Sequence, residues 1–344
     1  MSGRAVRLWG GRVSRRPARR PAVVCGLLVL VIVGVGALAL GTGEVSVAPG
    51  DILRTLVGAG SPEAELIVGT LRLPRAVNAL MVGGALGVAG AIFQSITRNP
   101  LGSPDIVGVT WGSATGALFQ IMVAGGGSAA VAGGAVGGGL ATAVAVYALG
   151  RGGAGPQRLL LVGIGVSSLL AALNTYLIAR APLDTAEAAR VWLTGSLNGR
   201  GWEYAGPLAL SLCVLMPLAA IQGPRLRTLE TGDDLAAALG VPIERTRLAL
   251  ISTAVLLTAV ATATAGPVSF VALAAPQIAR RLTRRGVPEL LPSALMGGVL
   301  LLAGDLIAQR ALPGGELPVG IATGALGGLY LIWLLFTEWG PRAR

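Results

Sequence analysis

One carboxylate stands well inside an apolar run: Asp305, within the stretch Leu291 to Gln309. An unpaired acid at mid-bilayer costs about 2.5–3.5 kcal/mol on insertion scales, so it must face protein or water. Two roles fit. One is a proton relay in a secondary transporter. The other is a structural acid, bonded to neighbouring polar groups or to Arg310 near the end of the run. A relay wants a histidine or a second acid in the same run, and neither is present, which favours the structural role.

Other reactive residue types are missing. The chain has no histidine, hence no imidazole base, no Ser–His triad and no imidazole metal ligand. All 27 basic residues are arginine, so the lysine that a Walker A loop sets on nucleotide phosphates is absent and ATP hydrolysis of that kind is excluded. Cys25 and Cys213 sit far apart in separate apolar runs, a spacing that gives neither a disulfide framework nor a metal site. Two free buried thiols are expected, and no cofactor on this chain. An intramembrane enzyme lacks a nucleophile–base pair.

The second polar feature is Gly223 to Arg247, the longest polar interruption on the arginine-rich side of the chain. Thr231-Gly232-Asp233-Asp234 reads as a helix start, with acids where the N-terminal dipole favours them. Ala236 lies between Leu235 and Leu239, which fall at i and i+4 on one face. Gly240 sits where a helix-ending glycine belongs, and Pro242 blocks continuation. A helix of about two turns is too short to stand alone in water. It is either a plain loop helix between two spans or a helix held on the membrane domain and docked into a separate motor protein.

The elements that carry these residues follow from composition. Of 344 residues, 53% are hydrophobic and 12% charged; soluble domains carry about 25% charged. An all-α integral membrane protein of about ten transmembrane helices is expected. The net charge of +11 does not point to nucleic acid, because the arginines cluster at span ends without interleaved aromatics. Met1 to Arg20 is a basic arm ahead of a first uncleaved span, Pro21 to Leu40. Glu44 to Arg75 forms a polar outer segment with a short surface helix from Val47. The further spans are Ala76 to Ile96, one opening at Ser103-Pro104-Asp105 as N-cap and first turn, a fourth beyond the divider Gly125-Gly126-Gly127-Ser128, Leu159 to Ala179, Tyr204 to Gln222, two parted by Gly266-Pro267 within Leu248 to Ala279, then Leu291 to about Gln309 and Leu317 to Thr337. Short turns lie at Thr97 to Pro104 and Arg151 to Arg158, and Arg180 to Glu203 is a second polar outer segment. The domain is 21–338, with the interruption at 223–247 and a tail at 339–344. Twenty arginines fall on the side of the termini and seven on the other, the positive-inside pattern for two cytoplasmic termini in a multi-pass inner-membrane protein. Small residues four apart, at Gly83 and Gly87, Gly134 and Gly138, and Gly320, Gly324 and Gly328, let helices approach closely in lipid.

The motifs Leu71-Arg72-Leu73-Pro74-Arg75, Gly83 to Gly90, Gln94 and Arg98-Asn99-Pro100-Leu101-Gly102-Ser103-Pro104 resemble the FecCD-type permeases of ABC importers for ferric siderophores, haem and cobalamin. So do Gly232 with Ala236 to Gly240, Gly266 to Pro276, Asp305, Arg310 and Leu317-Pro318-Val319-Gly320. The likeness covers about Ala48 to Leu335. It implies the type II importer permease fold, with two permease subunits and two ATPase subunits that carry ATP and magnesium. Thr231 to Gly240 would be the helix that engages the ATPase. Arg72, Arg75 and Arg310 would meet acids of an extracytoplasmic binding protein, where the bland alternative is interfacial snorkelling. Gln94, Asn99, Pro100, Gly266, Pro267, Pro276 and Asp305 would shape the pathway. The chain departs from the family at Ala272, Gln277 and Leu329. Its Ser269 to Gln277 run is similar to that of ferric-enterobactin-type permeases, which implies a ferric siderophore over cobalamin or haem.

Overall fold

The computed structural model describes residues 6–8, 13–15, 19–43, 45–150, 155–311 and 315–338. The arm departs from a wholly helical chain: β1 (Val6–Leu8) and β2 (Val13–Arg15) pair antiparallel, with Val6 opposite Arg15. Its other residues before Arg19, and the tail 339–344, lie outside the described residues.

Helix α1 (Arg19–Gly41) starts two residues earlier than read, and Arg20 donates to the Leu282 carbonyl at 3.0 Å. The surface helix α2 spans Pro49–Leu56. The following polar segment is not a loop. From α3 (Pro62–Ala64) the backbone runs through a π-helical stretch, Glu65–Arg72, into α4 (Leu73–Thr97) as one 36-residue helix. Glu63, Glu65, Arg72 and Arg75 all fall in its first turns, and that charge made its start read as a polar segment. Pro104–Val107 is a separate 3-10 turn, and Ser103 makes no side-chain cap there. The helix proper, α5 (Val109–Phe119), begins after Gly108, whose φ is +83°.

Helix α6 (Ser128–Gly150) starts at the expected divider, and α7 (Gly155–Arg180) begins inside the stretch read as the turn Arg151 to Arg158, of which 151–154 lie outside the described residues. The second polar segment holds a helix of its own, α8 (Leu183–Leu193). The next span overshoots its predicted end: α9 (Trp202–Glu230) runs through Pro207, Pro217 and Pro224. Prolines are tolerated in membrane helices, and the Ser211 and Thr228 hydroxyls donate back to the Pro207 and Pro224 carbonyls one turn earlier. Then come α10 (Asp233–Ala238), α11 (Ile243–Ala265), α12 (Val271–Thr283), α13 (Leu290–Ala308) and α14 (Val319–Glu338).

Each of the ten expected spans has a helix. Seven are long and apolar enough to cross a membrane, while Val109–Ala124 and Val319–Leu334 are shorter apolar helices. The 13 residues of α12 rise only about 20 Å. That helix reaches part-way across a hydrocarbon core of about 30 Å.

The core forms around α4, apolar on every face and packed against α9, α11, α12 and α13. Small residues set these contacts. A Cβ at Gly83 or Gly87 would overlap the Gly297 or Ser293 carbonyl of α13, and one at Gly134 or Gly138 would overlap the Gly116 or Gly112 carbonyl of α5. The third row is only partly used: Gly320 lies against the Thr194 carbonyl, while Gly324 and Gly328 face open space.

Candidate functional site

At one end of the bundle stands α10. Its N-cap is Gly232 at φ +117°, with no side-chain cap; Thr231 instead donates back to the Thr228 carbonyl at 2.7 Å. Asp233, in the first turn, is clamped by two arginines from other elements. Arg247 of α11 donates to both carboxylate oxygens at 2.9 and 2.8 Å, and Arg98 donates to Oδ1 at 2.7 Å. Gly240, at φ +79°, ends the helix. Its N–H bonds the Ala237 carbonyl at 2.9 Å and Val241 bonds Ala236 at 3.0 Å, the paired bonds of a Schellman cap. Ala236 is buried against the domain, whereas Leu235 and Leu239 are 51% and 64% exposed. Asp234 is exposed beside them. The helix is therefore bolted down by one residue and presents two leucines outward.

A chain of contacts leads inward from that clamp. Arg98 caps α4 in the left-handed region, φ +49°, and also donates to the Leu229 carbonyl at 2.9 Å. In the turn that follows, the Asn99 side chain accepts from the Leu101 N–H at 2.9 Å. The Pro100 carbonyl accepts from Gln277 at 2.6 Å, and Gln94 donates to the Leu273 carbonyl at 2.9 Å. Both bonds fix the end of α4 to α12. Pro276, inside α12, has no N–H for the Ala272 carbonyl, and that carbonyl lies against Gly90 of α4.

The break between α11 and α12 is held by the segment after α8. Gly266 has φ +73°, and the orphan Ala265 carbonyl accepts from the Ser196 N–H at 2.8 Å. Gly195 lies against the Pro267 carbonyl, and its own carbonyl accepts from the Gly320 N–H at 3.1 Å. Around this knot opens a cavity of about 510 Å³. Irregular segments and helix ends share its wall: Asp105 from the 3-10 turn, Thr194 from the end of α8 and Phe270 from the break, with Gly320 at the start of α14 and Trp111 of α5 beside them. Phe270 has φ +68°, a strain of about 1–3 kcal/mol for a bulky residue.

The opposite end of the bundle carries the acid singled out in the sequence. Asp305 is 3% exposed. Its partner is not Arg310 but Arg75 of α4, whose Nε and Nη2 donate to the two carboxylate oxygens at 2.9 and 3.0 Å. Gln309 adds a bond at 2.7 Å, and Arg75 Nη1 reaches Glu316 at 2.8 Å. The guanidinium of Arg75, one of the three arginines matched to binding-protein docking, is thus engaged by two acids of its own chain. Arg72 donates to the Leu40 and Val45 carbonyls at 2.8 and 2.5 Å, which ties α4 to the end of α1. Arg310 is exposed. The two cysteines are free, with Cys25 half-buried and Cys213 exposed, so the second is not the buried thiol expected.

The sequence did not single out Glu316, Gln309, Arg247 or Phe270. The first three pair with acids or arginines that hydropathy marks only as needing a partner. Phe270 carries no signal, since backbone strain at a non-glycine residue is invisible to composition.

Residues 28–337 match the FecCD transport family. The chain is 45% identical over 322 residues to the ferric enterobactin transport system permease protein FepG of Escherichia coli (strain K12), covering 93% of this chain and 98% of that protein. It is 38% identical to the achromobactin transport system permease protein CbrC of Dickeya dadantii (strain 3937), over 95% of each chain. A solved chain described as an inward-facing conformation of a metal-chelate type ABC transporter superposes with a TM-score of 0.79 at 28% identity, over 92% of this chain and 99% of that one. On these grounds the protein belongs to the FecCD transport family.

Proposed function

We propose that the chain is the membrane permease of an ATP-driven importer of ferric siderophores in the cytoplasmic membrane. The observation that carries the reading is α10: two exposed leucines on a helix whose first acid is clamped by Arg98 and Arg247. A helix so anchored transmits a push instead of yielding to it. The names of the relatives, enterobactin and achromobactin permeases, support iron chelates as cargo over cobalamin or haem.

In this reading the termini and α10 face the cytoplasm, where partner ATPase subunits bind ATP and magnesium and engage Leu235 and Leu239. A second permease subunit, the same chain or a paralogue, completes the pathway, and lipid surrounds the pair. Arg72 and Arg310 present positive charge to an extracytoplasmic binding protein, with Arg75 behind them already holding Asp305 and Glu316. Motion of α10 passes through Arg98 and the turn at Pro100 to Gln277 and α12, and so to the break beside the cavity. The reading is tested by replacing Leu235 and Leu239 with aspartate. The variant should fold as the wild type does, because both side chains are exposed, and should no longer co-purify with the ATPase. Undiminished co-purification would remove α10 from the interface.

A further inference from the structure

We infer that Phe270 is a cargo-contacting residue of the pathway, a movable aromatic wall that favours iron chelates carrying aromatic rings. This rests on the permease reading above. Irregular backbone at membrane depth is tolerated only where it is buried in protein or lines a cavity, and interrupted spans point to binding sites. The interruption Gly266 to Phe270 ends on a phenylalanine in the left-handed region, at φ +68°. Glycine is the residue that region favours, so a position that served only the turn would do better with glycine.

The ring has a purpose-cut seat. A Cβ at Gly327 of α14 would overlap the Phe270 Cβ and ring. On one side of Phe270 lies the open cavity of about 510 Å³, shared with Trp111, Thr110 and Ser269. On the other is a void of about 50 Å³ between α12, α13 and α14, walled by Ile278, Leu300 and Leu326. The side chain is half-buried and forms a partition between the two spaces. The ring rests against Gly327 and faces the cavity, and α12, tied through Gln277 to the turn at Pro100, is the element whose motion would carry it. Trp111, 40% exposed in the same cavity, supplies a second aromatic face. Two aromatic faces with hydroxyls beside them suit a flat ring bearing hydrogen-bonding groups. Among the described residues lining the cavity there is no arginine, and its one ionisable side chain is Asp105, which accepts from the Thr110 hydroxyl, so the wall offers an anionic chelate no tight ionic hold.

The test uses the permease–ATPase complex in nanodiscs. Equilibrium binding of a radiolabelled ferric tris-catecholate is compared with that of ferric citrate, for the wild type, Phe270→Leu and Phe270→Gly. The wild type should prefer the catecholate, and both variants should lose at least fivefold of that preference while citrate binding holds. Phe270→Leu, which keeps an apolar side chain over Gly327, should melt close to the wild type, which separates lost contact from lost folding. An unchanged preference, an equal loss for both chelates, or a wild type without preference overturns the inference. The permease reading fails separately, if the wild-type complex shows no ATP-driven uptake of either chelate.

Discussion

Arg75 of α4 grips Asp305 of α13 in a two-bond fork, at 2.9 and 3.0 Å, although 230 residues separate them. Both side chains are largely withdrawn from solvent, at 14% and 4% exposure. Breaking a buried pair by removing one partner strands the other charge, typically at a cost of about 3–5 kcal/mol. Here Glu316 still holds Arg75. Asp305→Asn is therefore expected to cost about 3 kcal/mol, read as a lowered melting temperature in detergent. The double variant Arg75→Gln, Asp305→Asn should recover part of that loss. ATP-driven uptake by Asp305→Asn should fall only in proportion to the folded fraction, whereas a proton relay would lose transport with the fold intact.

Asp233 makes a different kind of ion pair. Its partners Arg98 and Arg247 are 48% and 26% exposed, so water and salt screen them. Exposed pairs contribute about 0.2–1 kcal/mol each. Asp233→Ala removes two such pairs and should lower stability by about 0.4–2 kcal/mol, and it releases α10 from Arg98 and Arg247, leaving buried Ala236 as its anchor. The expected outcome is continued ATP hydrolysis by the assembled complex with several-fold less uptake per ATP. Normal uptake per ATP in this variant would show that the clamp transmits nothing.

The glycine rows predict opposite outcomes at two positions of the same residue type. A Cβ at Gly87 would overlap the Ser293 backbone carbonyl, which cannot move without shifting α13. Overpacking of this kind costs about 1–3 kcal/mol. Gly137 on α6 has nothing within 4 Å, and alanine gains about 1 kcal/mol in helix propensity over glycine. Melting curves should place Gly87→Ala below the wild type and Gly137→Ala level with it or above.

Much of this architecture is legible from the chain alone, and the reasons are local. Gly125 to Gly127 and Gly266-Pro267 break helices, with Gly125 and Gly266 at φ +61° and +73°, a region that glycine enters without a Cβ penalty. Gly240 and Pro242 end α10 by the same rules, and the end of α10 carries the cap bonds those rules require. Helix limits are less legible where lipid changes the rules. The span read as ending at Gln222 has Pro224 just beyond that end, a residue that would stop a helix in water, but α9 passes through it to Glu230. The charged stretch before Arg75 reads as loop, yet its backbone is helical from Pro62. The partners of Asp305 and Asp233 lie out of reach for another reason. Hydropathy says that a buried acid needs a cation and cannot say which of 27 arginines supplies it. For Asp305, sequence proximity suggested Arg310; the fold brings Arg75.

The central claim is that this chain is a gate worked by a separate engine. It is tested most directly by iron uptake into proteoliposomes holding this chain with its ATPase, its partner permease where there is one, and the binding protein. The account predicts accumulation that requires ATP and the ATPase and that persists when the proton gradient is collapsed. Uptake by this chain alone, driven by a pH gradient, would contradict it.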